Sequence, residues 1–113
     1  MAEGLLRVRA EDCDMPSIST HVLDTGRGLP ARGVRVELYR GSTLVSAQDT
    51  NDEGRIADLV GGPLAAGAYR LIFHVPSPFF RKMEVEFVID DTARHYHIPL
   101  LVAPYSCATY RGS

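Results

Sequence analysis

The sequence predicts an all-β protein, an eight-stranded sandwich of two sheets. Three observations carry this: short runs in which apolar and polar residues alternate, turn-forming clusters every ten or so residues between them, and no stretch with helical periodicity. A chain of 113 residues has room for one core and not for two. With 45% apolar and 23% charged residues, it has the balance of a soluble globular domain rather than a disordered or membranous one.

Ser17–Asp24 opens the series of strands, with Ile18, Thr20 and Val22 on one face and Ser17, Ser19, His21 and Leu23 on the other. After turn residues from Gly26 to Ala31, Gly33–Arg40 sets Val34, Val36 and Leu38 against Arg35, Glu37 and Tyr39. Gly41-Ser42 is a tight connection to Thr43–Thr50, and Asn51 to Gly54 turns the chain into Gly54–Leu59. Past the glycines between Gly61 and Gly67, Ala68–Val75 places Tyr69, Leu71, Phe73 and Val75 opposite Arg70, Ile72 and His74. Pro76 to Pro78 ends that strand, and Met83–Asp90 alternates Met83, Val85, Phe87 and Ile89 with Glu84 and Glu86. Asp90-Asp91 precedes Arg94–Val102, in which Tyr96, Ile98 and Leu100 face inward while His95, His97, Pro99 and Leu101 face out. Ala103-Pro104 leads into Tyr105–Arg111, where Tyr105, Cys107 and Thr109 oppose Ser106, Ala108 and Tyr110.

Composition excludes several classes of function. A formal net charge of −2 offers no bulk attraction to nucleic acid or anionic lipid. No apolar run approaches the roughly 18 residues of a spanning helix, and the charged start of the chain, with Arg7, Arg9, Glu11, Asp12 and Asp14, does not read as a signal-peptide core. Cys13 and Cys107 are too few and too far apart for a disulfide framework or a zinc site, so both are expected as free thiols in the cytoplasm.

The outward strand faces are where chemistry is expected. His21, His97 and Tyr110 share one surface, with Ser106 and Ala108 small enough to leave a hollow beside them. A bare sheet face is a poor catalyst, because water screens its charges and nothing encloses a substrate. Leu23, Pro99 and Leu101 on the same face point to a second copy of the chain as its cover. Each residue also has an ordinary reading. His21 alone is a surface strand residue, Gly54-Arg55 a hairpin with a solvated charge, and His74 a solvated histidine. His95 and His97, two apart, have the spacing of paired metal ligands, yet no nearby Cys, Asp or Glu completes a set. Asp24 closes a turn, Cys107 faces the core and is inert, and Ser113 lacks the fixed elbow of a nucleophile.

Four segments carry a family resemblance: Ser19-Thr20-His21-Val22-Leu23-Asp24, Asn51-Asp52-Glu53-Gly54-Arg55, His95-Tyr96-His97-Ile98-Pro99 and the final Tyr110-Arg111-Gly112-Ser113. Together they make the sequence similar to the transthyretin-like 5-hydroxyisourate hydrolases over most of its length. The resemblance implies a homotetramer, a dimer of dimers with active sites in the channel between facing sheets, and the first, seventh and eighth strands in one sheet. It implies hydrolysis of 5-hydroxyisourate to 2-oxo-4-hydroxy-4-carboxy-5-ureidoimidazoline in purine (urate) catabolism, with no cofactor and no metal. His21, Arg55 and His97 match the family's catalytic positions, and Tyr110, Arg111, Gly112 and Ser113 its C-terminal signature, which is expected to place the substrate. Residues 16–113 would form the hydrolase domain and 1–15 a variable extension.

Opening a ring amide needs a base for water, a donor for the developing oxyanion and an acid for the leaving nitrogen. Two imidazoles and one guanidinium supply those parts, although the residues do not say which histidine is the base. Two departures from the family stand out. The short helix between strands five and six is replaced by Val75-Pro76-Ser77-Pro78-Phe79-Phe80, too short and too proline-rich for one, and Cys107-Ala108 stands where Tyr-Ser is usual. A hormone carrier on the same sandwich and an adhesive domain are the competing readings. A carrier has no use for two histidines and an arginine converging on its channel, and the expected lack of a signal segment, linkers and paired cysteines counts against an adhesive domain.

Overall fold

A computed structural model of the chain describes residues 16–112. The expectations for the segment 1–15, for Cys13 and for Ser113 lie outside the described residues. Among the described residues the protein is all β, with ten strands and no helix. They are β1 (Ile18–Asp24), β2 (Leu29–Pro30), β3 (Arg35–Arg40), β4 (Thr43–Asp49), β5 (Arg55–Ile56), β6 (Gly67–Phe73), β7 (Met83–Ile89), β8 (Tyr96–His97), β9 (Leu100–Ala103) and β10 (Ser106–Thr109).

Two sheets form. One runs β4-β3-β6-β7, antiparallel throughout; in the other, β1 is the hub, with β10-β9-β1-β2 in order and both β5 and β8 paired to β1. The first, seventh and eighth predicted strands therefore do share a sheet. The period-two faces meet between the sheets, where Ile18, Val22, Val36, Leu38, Leu71, Phe73, Leu100 and Val102 are almost fully buried. Burying one such side chain contributes about 1.5–3 kcal/mol, so this shared face is the main source of stability. Val75 to Phe80 crosses without a helix, as the two prolines require. Ser77 organises the crossing: its Oγ accepts from the Phe79 and Phe80 amides and donates to the Pro104 carbonyl.

The structure corrects the alternation at three places. Arg94–Val102 is not one strand but two, β8 and β9, because Pro99 has no N–H to donate to the ladder. At the break the carbonyls of Ile98 and Pro99 are taken by the hydroxyls of Thr20 and Thr109, at 2.6 and 2.7 Å. Pro99 is buried there rather than outward, which leaves Leu23 and Leu101, half-buried register partners, as the apolar pair on that face. Ile72, expected outside, is only 6% exposed; it pairs in register with Glu37 and Glu84, whose long side chains flank it. Ser17 is buried as well, because its Oγ donates to the Asp58 carboxylate.

Gly54 makes the tight turn into β5 possible. It has φ +76°, and a Cβ there would lie 2.5 Å from the Val22 carbonyl oxygen, so the missing side chain also allows β5 its close approach to β1. Gly54→Ala is therefore expected to cost about 1–3 kcal/mol through the left-handed backbone, with the collision in addition. For a domain of this size, thermal unfolding would read this as a fall in Tm of roughly 4–8 °C per kcal/mol. An unchanged Tm would show that the turn relaxes freely.

Candidate active site

β1 gathers the site because strands flank it on both sides. On one side the antiparallel β5 puts Arg55 opposite His21; on the other the parallel β8 puts His97 opposite Ser19. Neighbouring strands lie about 4.8 Å apart and residues two apart on one strand about 7 Å, so these groups fall on one patch of sheet. Beyond β8, Gly112 pairs with His97 and its amide donates to the His97 carbonyl at 2.7 Å. The patch thus reads across the sheet as Arg55, His21 with Ser19, His97, Gly112.

Each group is held by local chemistry. Asn51 builds the turn beneath Arg55, its Oδ1 accepting from the Glu53 and Arg55 amides at 2.9 Å each. His21 Nε2 lies 2.9 Å from the Glu53 carbonyl oxygen. A carbonyl only accepts, so Nε2 carries the proton and neutral His21 keeps a bare Nδ1. His97 Nδ1 lies 2.8 Å from Ser19 Oγ, and its Nε2 has no hydrogen-bond partner among the described residues. Half-burial lowers the His97 pKa below the ordinary histidine value, and the charges of Arg55, His21 and His95 lower it further. His97 is thereby kept neutral and able to accept a proton near neutral pH.

Of the residues expected from sequence, His21, Arg55, His97 and Gly112 come together. Gly112 packs so tightly that a Cβ would stand 2.9 Å from His97 Cδ2, so its small size is what lets the tail lie against the imidazole. Tyr110, 55% exposed, and Arg111 border a separate hollow of about 300 Å³ at the open side of the sandwich between β7 and β10, with Val85, Phe87, Tyr96 and Ile98. Ser113 lies outside the described residues. Ser19 and His95 were not singled out as functional by sequence reasoning; a serine two residues before a histidine on the same outward face was the available signal. His95 turns to Ser19, its Nε2 2.8 Å from the hydroxyl, rather than forming a ligand pair with His97. Among the described residues no cluster of three or more His, Cys, Asp or Glu is placed to hold a metal ion.

The remaining expectations of the sequence have simple outcomes. His74 is exposed and faces Glu37 at 3.3 Å on the other sheet. Asp24 closes its turn by accepting from the Arg27 and Gly28 amides. Burial raises the Cys107 thiol pKa, consistent with an inert side chain. No helix among the described residues is long and apolar enough to cross a membrane.

A sequence profile of the HIUase/Transthyretin family matches residues 18–112, nearly the whole described chain. The chain belongs to this family. Among its relatives, the 5-hydroxyisourate hydrolase of Deinococcus radiodurans is 44% identical, the match covering 87% of this chain and 97% of that one. The Pseudomonas aeruginosa protein of the same name is 37% identical, over 88% of this chain and 93% of the relative. Among solved structures, Klebsiella pneumoniae 5-hydroxyisourate hydrolase superposes with a TM-score of 0.80 at 38% identity, covering 88% of this chain and 94% of that one. Sea bream transthyretin, solved with thyroxine, shares the fold at a TM-score of 0.77 and 26% identity, covering 84% of this chain and 93% of the other. Members of the HIUase/Transthyretin family thus include both named hydrolases and a hormone-bound protein, and the side chains on the β1 face have to decide between them.

Proposed function

We propose that the protein hydrolyses 5-hydroxyisourate to 2-oxo-4-hydroxy-4-carboxy-5-ureidoimidazoline in the breakdown of urate. The observation that carries this is the convergence of Arg55, His21 and His97 on one sheet face around β1. The higher identity to relatives named for that reaction supports it. A carrier of apolar hormones has no use for two imidazoles and a fixed cation on its binding face.

In this reading His97 is the base. Its Nε2 is unengaged among the described residues, while the Nε2 of His21 is committed to the Glu53 carbonyl. His97 Nε2 takes a proton from water, the oxygen attacks the ring carbonyl, and the C–N bond breaks as the nitrogen regains a proton. Arg55 donates to the carbonyl oxygen as it becomes an oxyanion, a task its fixed charge and planar fork suit. His21 braces the Arg55 turn through Glu53 and faces the substrate with Nδ1. Gly112 closes the tail onto His97, and Tyr110, Arg111 and Ser113, matched by resemblance, are assigned to substrate placement, Tyr110 and Arg111 from the neighbouring hollow. No metal or organic cofactor takes part.

The face is open on one side, so two copies meeting about a two-fold axis would enclose it, Leu23 and Leu101 lying at the contact, in a homotetramer. Residues 16–113 form the catalytic domain and 1–15 a variable extension, in a cytoplasmic protein. The test monitors freshly generated 5-hydroxyisourate by absorbance against its spontaneous decay, alongside sedimentation of the same sample. Decay no faster than the control by a folded tetramer would overturn the hydrolase reading; a monomer at working concentration would overturn the shared cleft.

A further inference from the structure

Ser19 stands between two imidazoles. Its Oγ is 2.8 Å from His97 Nδ1 and 2.8 Å from His95 Nε2. Backbone pairing holds it there: the Tyr96 amide donates to the Ser17 carbonyl and the Ile98 amide to the Ser19 carbonyl, each at 2.9 Å. A hydroxyl has a single proton, so it donates to one of the two nitrogens and accepts from the other. The tautomers of the two histidines are coupled. When Nδ1–H of His97 donates to Ser19 and Ser19 donates to His95, the Nε2 of His97 is a bare lone pair. In the reverse order His97 carries its proton on Nε2.

We propose that Ser19 and His95 are positioning residues that hold His97 in its basic tautomer and carry the proton it takes from water out to solvent. This rests on the hydrolase reading above. Water is the one further proton carrier the cycle needs. Once His97 Nε2 has taken a proton, the imidazolium passes its Nδ1 proton to Ser19 Oγ as the Ser19 proton moves to His95 Nε2. The exposed His95 then releases its Nδ1 proton to water, leaving His97 neutral with Nε2–H for the departing nitrogen. As His97 gives its Nε2 proton to the nitrogen, the reverse shift passes the Ser19 proton to His97 Nδ1 and the His95 Nε2 proton to Ser19, and His95 takes a proton back from water at Nδ1, which restores the starting state.

The surrounding charges favour that direction. His97 is faced by the cationic or ionisable Arg55 of β5, His21 of β1 and His95 from the turn before β8. Asp58 is near enough to His95 to feel its charge. Burial pushes the Asp58 carboxyl up, but hydrogen bonds from Ser17 and the Gly61 and Val60 amides, together with the charge of His95, bring it below the ordinary carboxylate value. A proton passed to His95 therefore leaves the side of Arg55 and His21 for an imidazole whose charge a carboxylate offsets.

The experiment compares wild type with Ser19→Ala, Ser19→Thr and His95→Gln, reading kcat and KM at several buffer concentrations and the His97 ring by long-range ¹H–¹⁵N NMR. Partners that orient a histidine in other sites are worth about 10–100-fold. Ser19→Ala and His95→Gln are each expected to lower kcat about tenfold or more with KM little changed, since substrate contacts are untouched. Ser19→Thr, which keeps the hydroxyl, should restore most of kcat. His95→Gln should regain activity as buffer concentration rises, and His97 should go from the Nδ1–H form in wild type to a mixture in Ser19→Ala. Active wild type with kcat unchanged in both Ser19→Ala and His95→Gln, or a His97 tautomer indifferent to Ser19→Ala, would overturn the relay. Wild type without activity would overturn the hydrolase reading instead, and the NMR result would then judge the Ser19 coupling alone.

Discussion

His97→Asn is expected to lower kcat by about 10²–10⁴-fold, the range that a positioned acid–base group contributes. Asparagine keeps a polar group near Ser19 but cannot take a proton from water, so binding should suffer less than turnover. The half-buried imidazole is not part of the core, and the melting temperature should stay close to that of wild type. His74→Asn is the control, because His74 sits exposed on the opposite sheet beside Glu37 and should leave kcat unchanged. Steady-state rates corrected for spontaneous decay check both. A His97→Asn enzyme within a few-fold of wild type would move the base elsewhere.

Arg55→Gln should lower kcat/KM by about 10²–10³-fold, the usual cost of losing one oxyanion donor. It should also move the pH profile. The His97 pKa is held down first by burial and then by the charge of Arg55, so in wild type the acid limb of kcat/KM should fall below the ordinary histidine value of about 6.5. Removing the guanidinium removes one repulsion and leaves burial in place. The limb should therefore move up without reaching the unperturbed value, and a limb that stays put would separate Arg55 from His97. The same depression links to folding. The unfolded histidine takes up a proton near 6.5 before the folded one does, so stability is complete above that pH and declines as pH falls towards the folded value.

The departures from the sequence pattern concern residues whose partners are remote in the chain. Ile72 and Ser17 obey parity as strand positions, yet Glu37 and Glu84 flank the first and Asp58 claims the second. Pro99 breaks a ladder that alternation assumed continuous, and threonines from β1 and the end of β10 repair it.

By itself the sequence determined the β class and most strand faces, because period two and turn chemistry are local properties, while His21, Arg55 and His97 were named by resemblance of the short segments that carry them. Alternation placed Ile18, Val22, Leu71 and Phe73 inside before any pairing was known, and they are buried. Only the tertiary structure decided that β1 lies between β5 and β8, with Arg55 and His97 drawn to either side of it. It alone put Ser19 between His95 and His97 and seated Gly112 against the imidazole. Register between strands separated by as many as 78 residues depends on the whole core packing at once, and hydrogen-bond partners are set by that register rather than by neighbouring residues.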